Sequence, residues 1–241
     1  MLIKTKAIVL TSIKYGESDL IVKCLTEEGV KSYLIKRIFR SKSKNMKIGY
    51  FQPLSLLDLS AYHNKRGNLN KITEARVSYL YRSLATNIYK QSIALFLAEI
   101  LSNALKEEEQ NQIQFDFIET SLKWLDQHDS FSNFHLIFLF QLTKYLGFYP
   151  DVDNAGGEYF DLEEGNFTGL KPYRNSLSGK NLILFKSIIG IKFDDMVRLK
   201  WNSEGRQIVL DILLEYYELH LPGFKKPRSL KVLKEVFNEI S

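Results

Sequence analysis

The sequence contains one cysteine, Cys24, in 241 residues. A disulfide within the chain is therefore impossible, and no cluster of cysteines is available to bind a metal. A reducing, cytosolic setting is consistent with this scarcity. Because Cys24 lies in an alternating strand pattern, we predict that it packs as a half-buried side chain and does not act as a nucleophile.

The sequence also lacks an apolar run long enough to cross a bilayer. Its most apolar stretch, Phe134 to Leu146, is too short and is interrupted by His135, Gln141 and Lys144. The first residues do not form the apolar core of a signal peptide. These features predict a soluble, cytoplasmic protein that does not engage a membrane.

Residue patterns typical of enzymes are missing as well. The four histidines are scattered, no two at the spacing of metal ligands, and we interpret His135 as a core residue. There is no phosphate-binding lysine loop and no serine-elbow motif. A nuclease needs clustered carboxylates to hold a divalent metal, and the basic half of the chain has six dispersed acids. These are Glu17, Asp19, Glu27, Glu28, Asp58 and Glu74. We therefore predict a binding protein without catalytic activity or a cofactor.

Charge is distributed unevenly along the chain. Residues 1–76 carry 15 Lys and Arg against 6 Asp and Glu, a net of +9, and the remaining residues carry 18 against 22, a net of −4. This asymmetry suggests that the first part contacts a polyanion.

A basic stretch from Lys36 to Lys47 contributes much of this charge. Six of its twelve residues are cations and none is acidic: Lys36, Arg37, Arg40, Lys42, Lys44 and Lys47. A nucleic acid backbone is the common partner of such a run, and a solvated loop that keeps the protein soluble is the alternative. Tyr33 lies just before the stretch, where an outward-facing ring would stack on a base. For Phe39 and Phe51 we favour core packing. The predicted DNA-binding residues are therefore the six cations and Tyr33.

The first 78 residues are predicted to form a small β-barrel. Five segments alternate with a period of two. They are Leu2 to Leu10, Asp19 to Leu25, Val30 to Ile38, Leu54 to Ala61 and Leu69 to Ala75. Residues 26–29 and 63–68 read as turns between strands. A five-stranded barrel of the oligonucleotide-binding (OB) type is the simplest interpretation, although an SH3-like barrel also fits the spacing.

Residues 79–241 are predicted to form an all-helical domain, which makes the chain an α+β protein of two domains. Helical spacing of apolar residues and helix-end signals predict six or so helices in the following segments. They are Tyr79–Lys106, Ile113–Gln127, Asn133–Leu146, Gly179–Ile189, Asp194–Leu199, Gln207–Leu219 and a last helix from Ser229 to Ile240. We expect Ser178 and Ser229 to cap helices. A loop or hairpin insertion is expected around residues 151–175.

Several short motifs resemble the bacterial recombination mediator RecO family. In the first half they are Lys6–Leu10, Tyr15–Asp19, Leu25–Gly29, Lys36–Ser41 and Gln52–Leu54. Further on they are Leu146–Pro150, Tyr216–Leu221, Gly223 and Arg228–Leu230. Their order and spacing cover nearly the whole chain.

This resemblance implies an OB-fold barrel followed by a helical domain. It also implies a non-enzymatic, nucleoid-associated protein that binds single- and double-stranded DNA and anneals complementary strands. The implied protein partners are RecR, the C-terminal tail of single-stranded-DNA-binding protein and, indirectly, RecA. An acidic tail that ends in apolar residues needs an apolar pocket with a cationic rim. Candidate rim residues are Lys90, Lys123, Lys144, Arg198, Lys200 and Arg206. The alternative reading is a protein-interaction adaptor whose basic barrel is incidental.

The chain departs from the family at one place. Many members carry four zinc-binding cysteines after the motif at Leu146–Pro150, whereas residues 151–171 contain none. The carboxylates available there are a poor ligand set for structural zinc. We therefore predict a metal-free hairpin pinned by Tyr159, Phe160 and Phe167.

Overall fold

A computed structural model describes residues 2–40, 46–64, 69–105 and 110–238. Within them, five strands form one antiparallel sheet in the order β3-β2-β1-β4-β5. The strands are β1 (Leu2–Tyr15), β2 (Asp19–Thr26), β3 (Gly29–Ile35), β4 (Leu56–Tyr62) and β5 (Lys71–Tyr79).

The sheet closes on itself where β3 meets the start of β5. The Leu34 amide donates to the Asn70 carbonyl at 2.9 Å, and the Asn70 amide donates to the Ser32 carbonyl at 2.8 Å. These bonds belong to a parallel bridge between Tyr33 and Asn70. Because closure pairs both outer strands, the five strands form the barrel that the OB-type prediction required.

Strand β1 is longer than the predicted Leu2 to Leu10. Its first half pairs with β4, and its second half pairs with β2 as far as Tyr15. A register shift between Val9 and Thr11 separates the two halves. This bulge lets one strand serve both sides of the barrel, and it carries Ile13, Lys14 and Tyr15 to one end of the barrel.

The turn between β2 and β3 is the predicted hairpin. Gly29 has a φ of 92°, which favours glycine, and the Thr26 hydroxyl donates to the Gly29 carbonyl at 2.7 Å. Strands β4 and β5 are also antiparallel neighbours. Of the second predicted turn, at residues 63–68, residues 65–68 lie outside the described part of the chain.

The barrel interior is filled by small and branched apolar side chains with a few large rings. Cys24 belongs to this core and is fully buried, so its packing role is confirmed, although it is more buried than predicted. Burial raises the pKa of the Cys24 thiol well above its ordinary value, which keeps it protonated and unreactive.

The chain divides into two compact units, which are residues 1–127 with 227–233 and residues 128–226 with 234–241. The first unit contains the barrel together with α1 (Ile88–Ala104) and α2 (Gln112–Gln127). Compactness does not establish which part folds alone, so the domain boundary near residue 78 stays a prediction.

A buried carboxylate ties the chain after β5 to the end of α2. The Asp126 carboxylate accepts hydrogen bonds from the backbone amides of Arg82, Ser83 and Leu84 at 2.8–3.1 Å. It also accepts one from the Tyr79 hydroxyl at 3.1 Å. Asp126 therefore satisfies amides that would otherwise lie unpaired before α1 begins.

The second unit is built around α3 (Phe134–Leu146), α4 (Gly179–Ile188) and α5 (Ser203–His220). Helix α3 is buried on nearly all sides and ends at Gly147, whose φ is 85°. The last helix, α6 (Leu230–Asn238), passes from the first unit into the second. None of the helices described has the length and apolar character of a membrane span.

The predicted hairpin is present in the second unit, as β6 (Tyr159–Asp161) and β7 (Asn166–Thr168), with an unpredicted third strand, β8 (Ser176–Leu177). Phe160 and Phe167 are buried as expected, with ring centroids 4.8 Å apart. Tyr159 is only partly buried.

Ser178 occupies the predicted N-cap position of α4, and Ser229 directly precedes α6 as predicted, but neither side chain bonds to its helix. No helix amide donates to the Ser178 side chain, and the buried Ser229 hydroxyl has no hydrogen-bond partner in the described structure. Asparagine side chains cap three other helices: Asn87 accepts from two amides of α1, Asn111 accepts from the Gln114 amide of α2 at 2.9 Å, and Asn202 accepts from the Gly205 amide of α5 at 2.8 Å.

Candidate nucleic-acid interface

Two chain segments meet at one end of the barrel. Leu20 pairs with Ile35, so the β1–β2 turn and the residues after β3 emerge side by side. The Phe39 amide donates to the Ser18 carbonyl at 3.2 Å. Backbone hydrogen bonds thus hold the start of the basic stretch against the turn.

Arg37 adopts an unusual backbone conformation at this junction. Its φ is 56°, in the left-handed region that side-chain-bearing residues seldom occupy. The Asp19 carboxylate accepts a hydrogen bond from the Arg37 amide at 2.8 Å, which stabilises this conformation. The basic stretch therefore leaves the sheet in a defined direction.

Apolar anchors hold both ends of the stretch in the barrel core. Ile38 and Phe51 are buried, and the partly buried Met46 and Tyr50 pack against the same cluster. The Phe51 carbonyl also accepts a hydrogen bond from the Ser12 hydroxyl of β1 at 2.6 Å. Core packing of Phe51 is therefore confirmed, and the described cations next to the anchors, Arg37, Arg40 and Lys47, are attached to the barrel through them.

Four of the six predicted cations lie in the described structure. Lys36, Arg37 and Lys47 are exposed, and no described carboxylate forms an ion pair with their side chains. Arg40 is exposed but forms an ion pair with Glu17 of the β1–β2 turn. The remaining two cations, Lys42 and Lys44, lie outside the described residues. The structure thus brings a group of cations to the barrel end and partly neutralises one of them.

Tyr33 was predicted to face solvent, but the structure buries it. Its exposed fraction is 0%, and it lies in the barrel core opposite Val22. Its hydroxyl lies 3.1 Å from His63 Nε2, and His63 Nδ1 lies 3.2 Å from the Glu28 carboxylate. Burial lowers the pKa of His63, which favours a neutral ring that donates to Glu28 and accepts from Tyr33. Alternation predicted two faces for β3 but assigned Tyr33 to the wrong one.

Two other aromatic rings are exposed at this barrel end. Tyr15, at the end of β1, is 56% exposed, and Phe39 is 43% exposed, so the core role predicted for Phe39 was wrong. The Lys14 ammonium lies 5.5 Å from the centroid of the Phe39 ring. Sequence reasoning missed Lys14 and Tyr15 because it ended β1 at Leu10. The signal was available, since alternation continues through Thr11, Ile13 and Tyr15.

We call these exposed side chains the barrel-end surface. It consists of Lys14, Tyr15, Lys36, Arg37, Phe39 and Arg40, and we include Lys47, which is exposed directly after the core-packed Met46 of the same stretch. Cations neutralise phosphates, and exposed rings stack on unpaired bases, so its chemistry suits a flexible polyanion that carries planar groups. Within the ranges described above, no three His, Cys, Asp or Glu side chains gather into a possible metal site.

The six cations considered for tail binding differ in availability. Lys90 is buried and donates to the Ser83 hydroxyl at 2.6 Å. Lys123 pairs with Glu119 at 2.9 Å, and Arg198 pairs with Asp195 at 3.0 Å. Arg206 is partly buried and donates to the Trp201 carbonyl at 2.9 Å. Lys144, Arg198 and Lys200 are the exposed members of the set, and of these Lys144 and Lys200 form no ion pair with a described carboxylate.

Comparison with known proteins identifies the family. Residues 1–81 match the family Recombination protein O N terminal, and residues 85–230 match Recombination protein O C terminal. The chain is 47% identical over 239 residues to the DNA repair protein RecO of Flavobacterium psychrophilum, covering 99% of this chain and all of the relative. It is 46% identical to the RecO protein of Flavobacterium johnsoniae, with the same coverage, and 42% identical over 238 residues to that of Christiangramia forsetii, covering 98% of this chain and all of the relative. The chain therefore belongs to the RecO family of non-enzymatic DNA repair and recombination mediators.

Proposed function

We propose that this protein binds single- and double-stranded DNA through the barrel-end surface and anneals complementary strands. With RecR, it helps to load RecA onto DNA coated by single-stranded-DNA-binding protein. The proposed site of this activity is the bacterial cytoplasm, at the chromosome. The full-length similarity to DNA repair proteins named RecO supports the general role.

One observation carries the DNA-binding part of the proposal. Lys36 and Arg37 are exposed at the barrel end that also carries the exposed rings of Tyr15 and Phe39, and Lys47 is exposed at the other end of the same basic stretch. None of these three cations forms an ion pair with a described carboxylate. Bringing unpaired cations together raises their mutual repulsion, which a bound phosphate backbone relieves. Lys42 and Lys44, in the same stretch, are proposed to contribute to the same contact.

Changing Lys36, Arg37 and Lys47 together to alanine is expected to weaken binding to a labelled single strand roughly tenfold or more at low salt. The slope of log affinity against log salt should become shallower by about 2, because each lost phosphate contact removes about 0.7 on a single strand. Fluorescence anisotropy over a salt series measures both quantities.

The matched control changes Lys4, Lys71 and Arg76 to alanine. These exposed cations lie on the first half of β1 and on β5, and their removal changes net charge equally. The control should retain most of the affinity and slope. If both triple variants lost the same affinity, the loss would be explained by the lower net charge and not by the barrel-end surface. Full binding by the first variant would favour the adaptor reading, in which the basic barrel is incidental.

The partner part of the proposal has its own assay. Strands coated with single-stranded-DNA-binding protein should anneal faster with this protein present, and deletion of the coating protein's C-terminal tail should remove the stimulation. Lys144 and Lys200 are the first candidates for the cationic rim that such a tail requires. Equal stimulation with and without the tail would contradict a tail-binding role.

A further inference from the structure

The connection between β7 and β8 exposes apolar side chains to an unusual degree. Tyr173 is 93% exposed and Leu170 is 83% exposed, the highest values among the large hydrophobic residues of the described chain. We call residues 169–175 the crossing loop, because β7 and β8 lie on opposite sides of β6. Isolated exposed apolar residues are common, but two in one short loop suggest a contact surface.

Both ends of the crossing loop are fixed. At its start, the Leu170 amide donates to the Thr168 hydroxyl at 3.1 Å. At its end, Asn175 has a φ of 42° and is held by two bonds: its side-chain amide donates to Glu163 at 2.7 Å, and its carbonyl accepts from the Leu162 amide at 2.8 Å. Hydrogen bonds therefore fix the backbone on both sides of the exposed Tyr173 ring.

The charge of the crossing loop is mainly positive. Lys171 and Arg174 are exposed and form no ion pair with a described carboxylate. The Arg174 guanidinium lies 5.6 Å from the centroid of the Tyr173 ring. The adjoining cleft, about 550 Å³, is lined by Asp211 and Glu215, and Asp211 is paired with Lys234 at 3.1 Å. The two cations thus lie near two carboxylates that form no ion pair with a described cation: Glu215, which lines the same cleft, and Glu163, which accepts the bond from Asn175.

We propose that the crossing loop is a second contact for single-stranded nucleic acid, in which Tyr173 stacks on an unpaired base and Lys171 and Arg174 bind the flanking phosphates. A ring that is almost wholly exposed offers a face to any base, and the guanidinium beside it adds a cation–π contribution. Duplex DNA keeps its bases stacked inside, so this contact favours single strands. The inference rests on the proposed function only in taking a nucleic acid strand as the ligand.

Cross-linking and affinity together test this inference. A single strand containing 5-iodouracil is bound to the full-length protein and irradiated. We expect a covalent adduct on Tyr173, which mass spectrometry of the digested protein locates. The adduct should persist in the variant that lacks Lys36, Arg37 and Lys47 side chains, because the crossing loop is a separate contact. Tyr173→Ala should weaken single-strand binding about five- to thirtyfold, and Tyr173→Phe should bind nearly as well as the unmodified protein.

Charge variants supply a second measure. Changing Lys171 and Arg174 to alanine should make the salt slope shallower by about 1.4, whereas changing Lys192 and Lys225, exposed cations elsewhere in the same unit, should leave it nearly unchanged. Unaltered affinity in the loop variants, with DNA adducts confined to the barrel, would overturn this inference alone and indicate a protein partner for the loop. Absence of any DNA binding by the unmodified protein would overturn the proposed function as well.

Discussion

Replacing Asp126 with alanine is expected to lower the free energy of unfolding of the first unit by about 3–5 kcal/mol. The substitution removes the acceptor for the amides of Arg82, Ser83 and Leu84 and for the Tyr79 hydroxyl. Each buried donor left without a partner costs about 1–3 kcal/mol, and water reaches only the more exposed of these groups. Alanine is a good helix former, so the loss cannot be assigned to α2 itself.

Two variants separate the contribution of these hydrogen bonds from that of charge. Asp116→Ala removes an exposed carboxylate of the same helix, whose described contact is a 2.9 Å hydrogen bond from Gln112, and should change stability by less than about 0.5 kcal/mol. Asp126→Asn keeps an oxygen acceptor, so its loss of stability should lie between the losses of Asp126→Ala and Asp116→Ala. Urea denaturation measures all three. A loss in Asp126→Ala no larger than that in Asp116→Ala would show that the amides find other partners.

The same carboxylate makes stability depend on acid. Burial alone raises the pKa of Asp126, but the amides of Leu84, Arg82 and Ser83 and the Tyr79 hydroxyl outweigh it, and the pKa lies below its ordinary value. The depressed pKa contributes stability that is fully present above the unfolded value of about 3.9 and is lost as pH falls through the folded value. The stability difference between the unmodified protein and Asp126→Asn should therefore be constant above about pH 5 and shrink below pH 4. A difference that does not change with acid would contradict this assignment.

Local patterns in the sequence predicted most of the fold. Alternation located all five strands of the barrel, and helical spacing located α2 and α3 to within a residue or two. The missed features depend on residues distant in sequence. The β1 bulge is held by a bond from the Val9 amide to the Ser55 carbonyl, and Asp126 acts on amides more than 40 residues earlier. Such contacts leave no periodic signal in a single sequence.

The sequence predicted the positive charge of the candidate site, but it did not predict which side chains of the site face solvent. A run of cations is visible in the sequence, whereas the pairing of Arg40 with Glu17 requires the β1–β2 turn to meet the residues after β3. Tyr33 and Phe39 were assigned to the wrong environments because a period of two identifies two faces without saying which one is buried. The exposed aromatic rings of the barrel end, at Tyr15 and Phe39, therefore emerged only from the structure.

Replacing Gly157 with alanine is expected to destabilise the three-stranded sheet by about 2–3 kcal/mol. A Cβ at this position would lie 2.7 Å from the backbone nitrogen and oxygen of Thr168 in β7, and a strand backbone cannot move aside as a side chain can. The Gly157 carbonyl also accepts a hydrogen bond from Lys186 at 2.8 Å, so displacement would disturb α4. Close backbone packing thus contributes to the stability of a hairpin whose sequence contains no cysteine.

The neighbouring glycine provides the control for this substitution. A Cβ on Gly156 would meet no atom within 4 Å, and its φ is not in the left-handed region, so Gly156→Ala should be neutral or stabilise by up to about 1 kcal/mol through the unfolded chain. Hydrogen exchange at the amides of Phe160 and Phe167 reports the sheet directly, and it should accelerate in Gly157→Ala alone. DNA binding by the barrel-end surface should be the same in both variants. Equal exchange rates in the two would mean that β7 shifts at little cost, and the aromatic packing of Phe160 and Phe167 would then be sufficient to hold the hairpin.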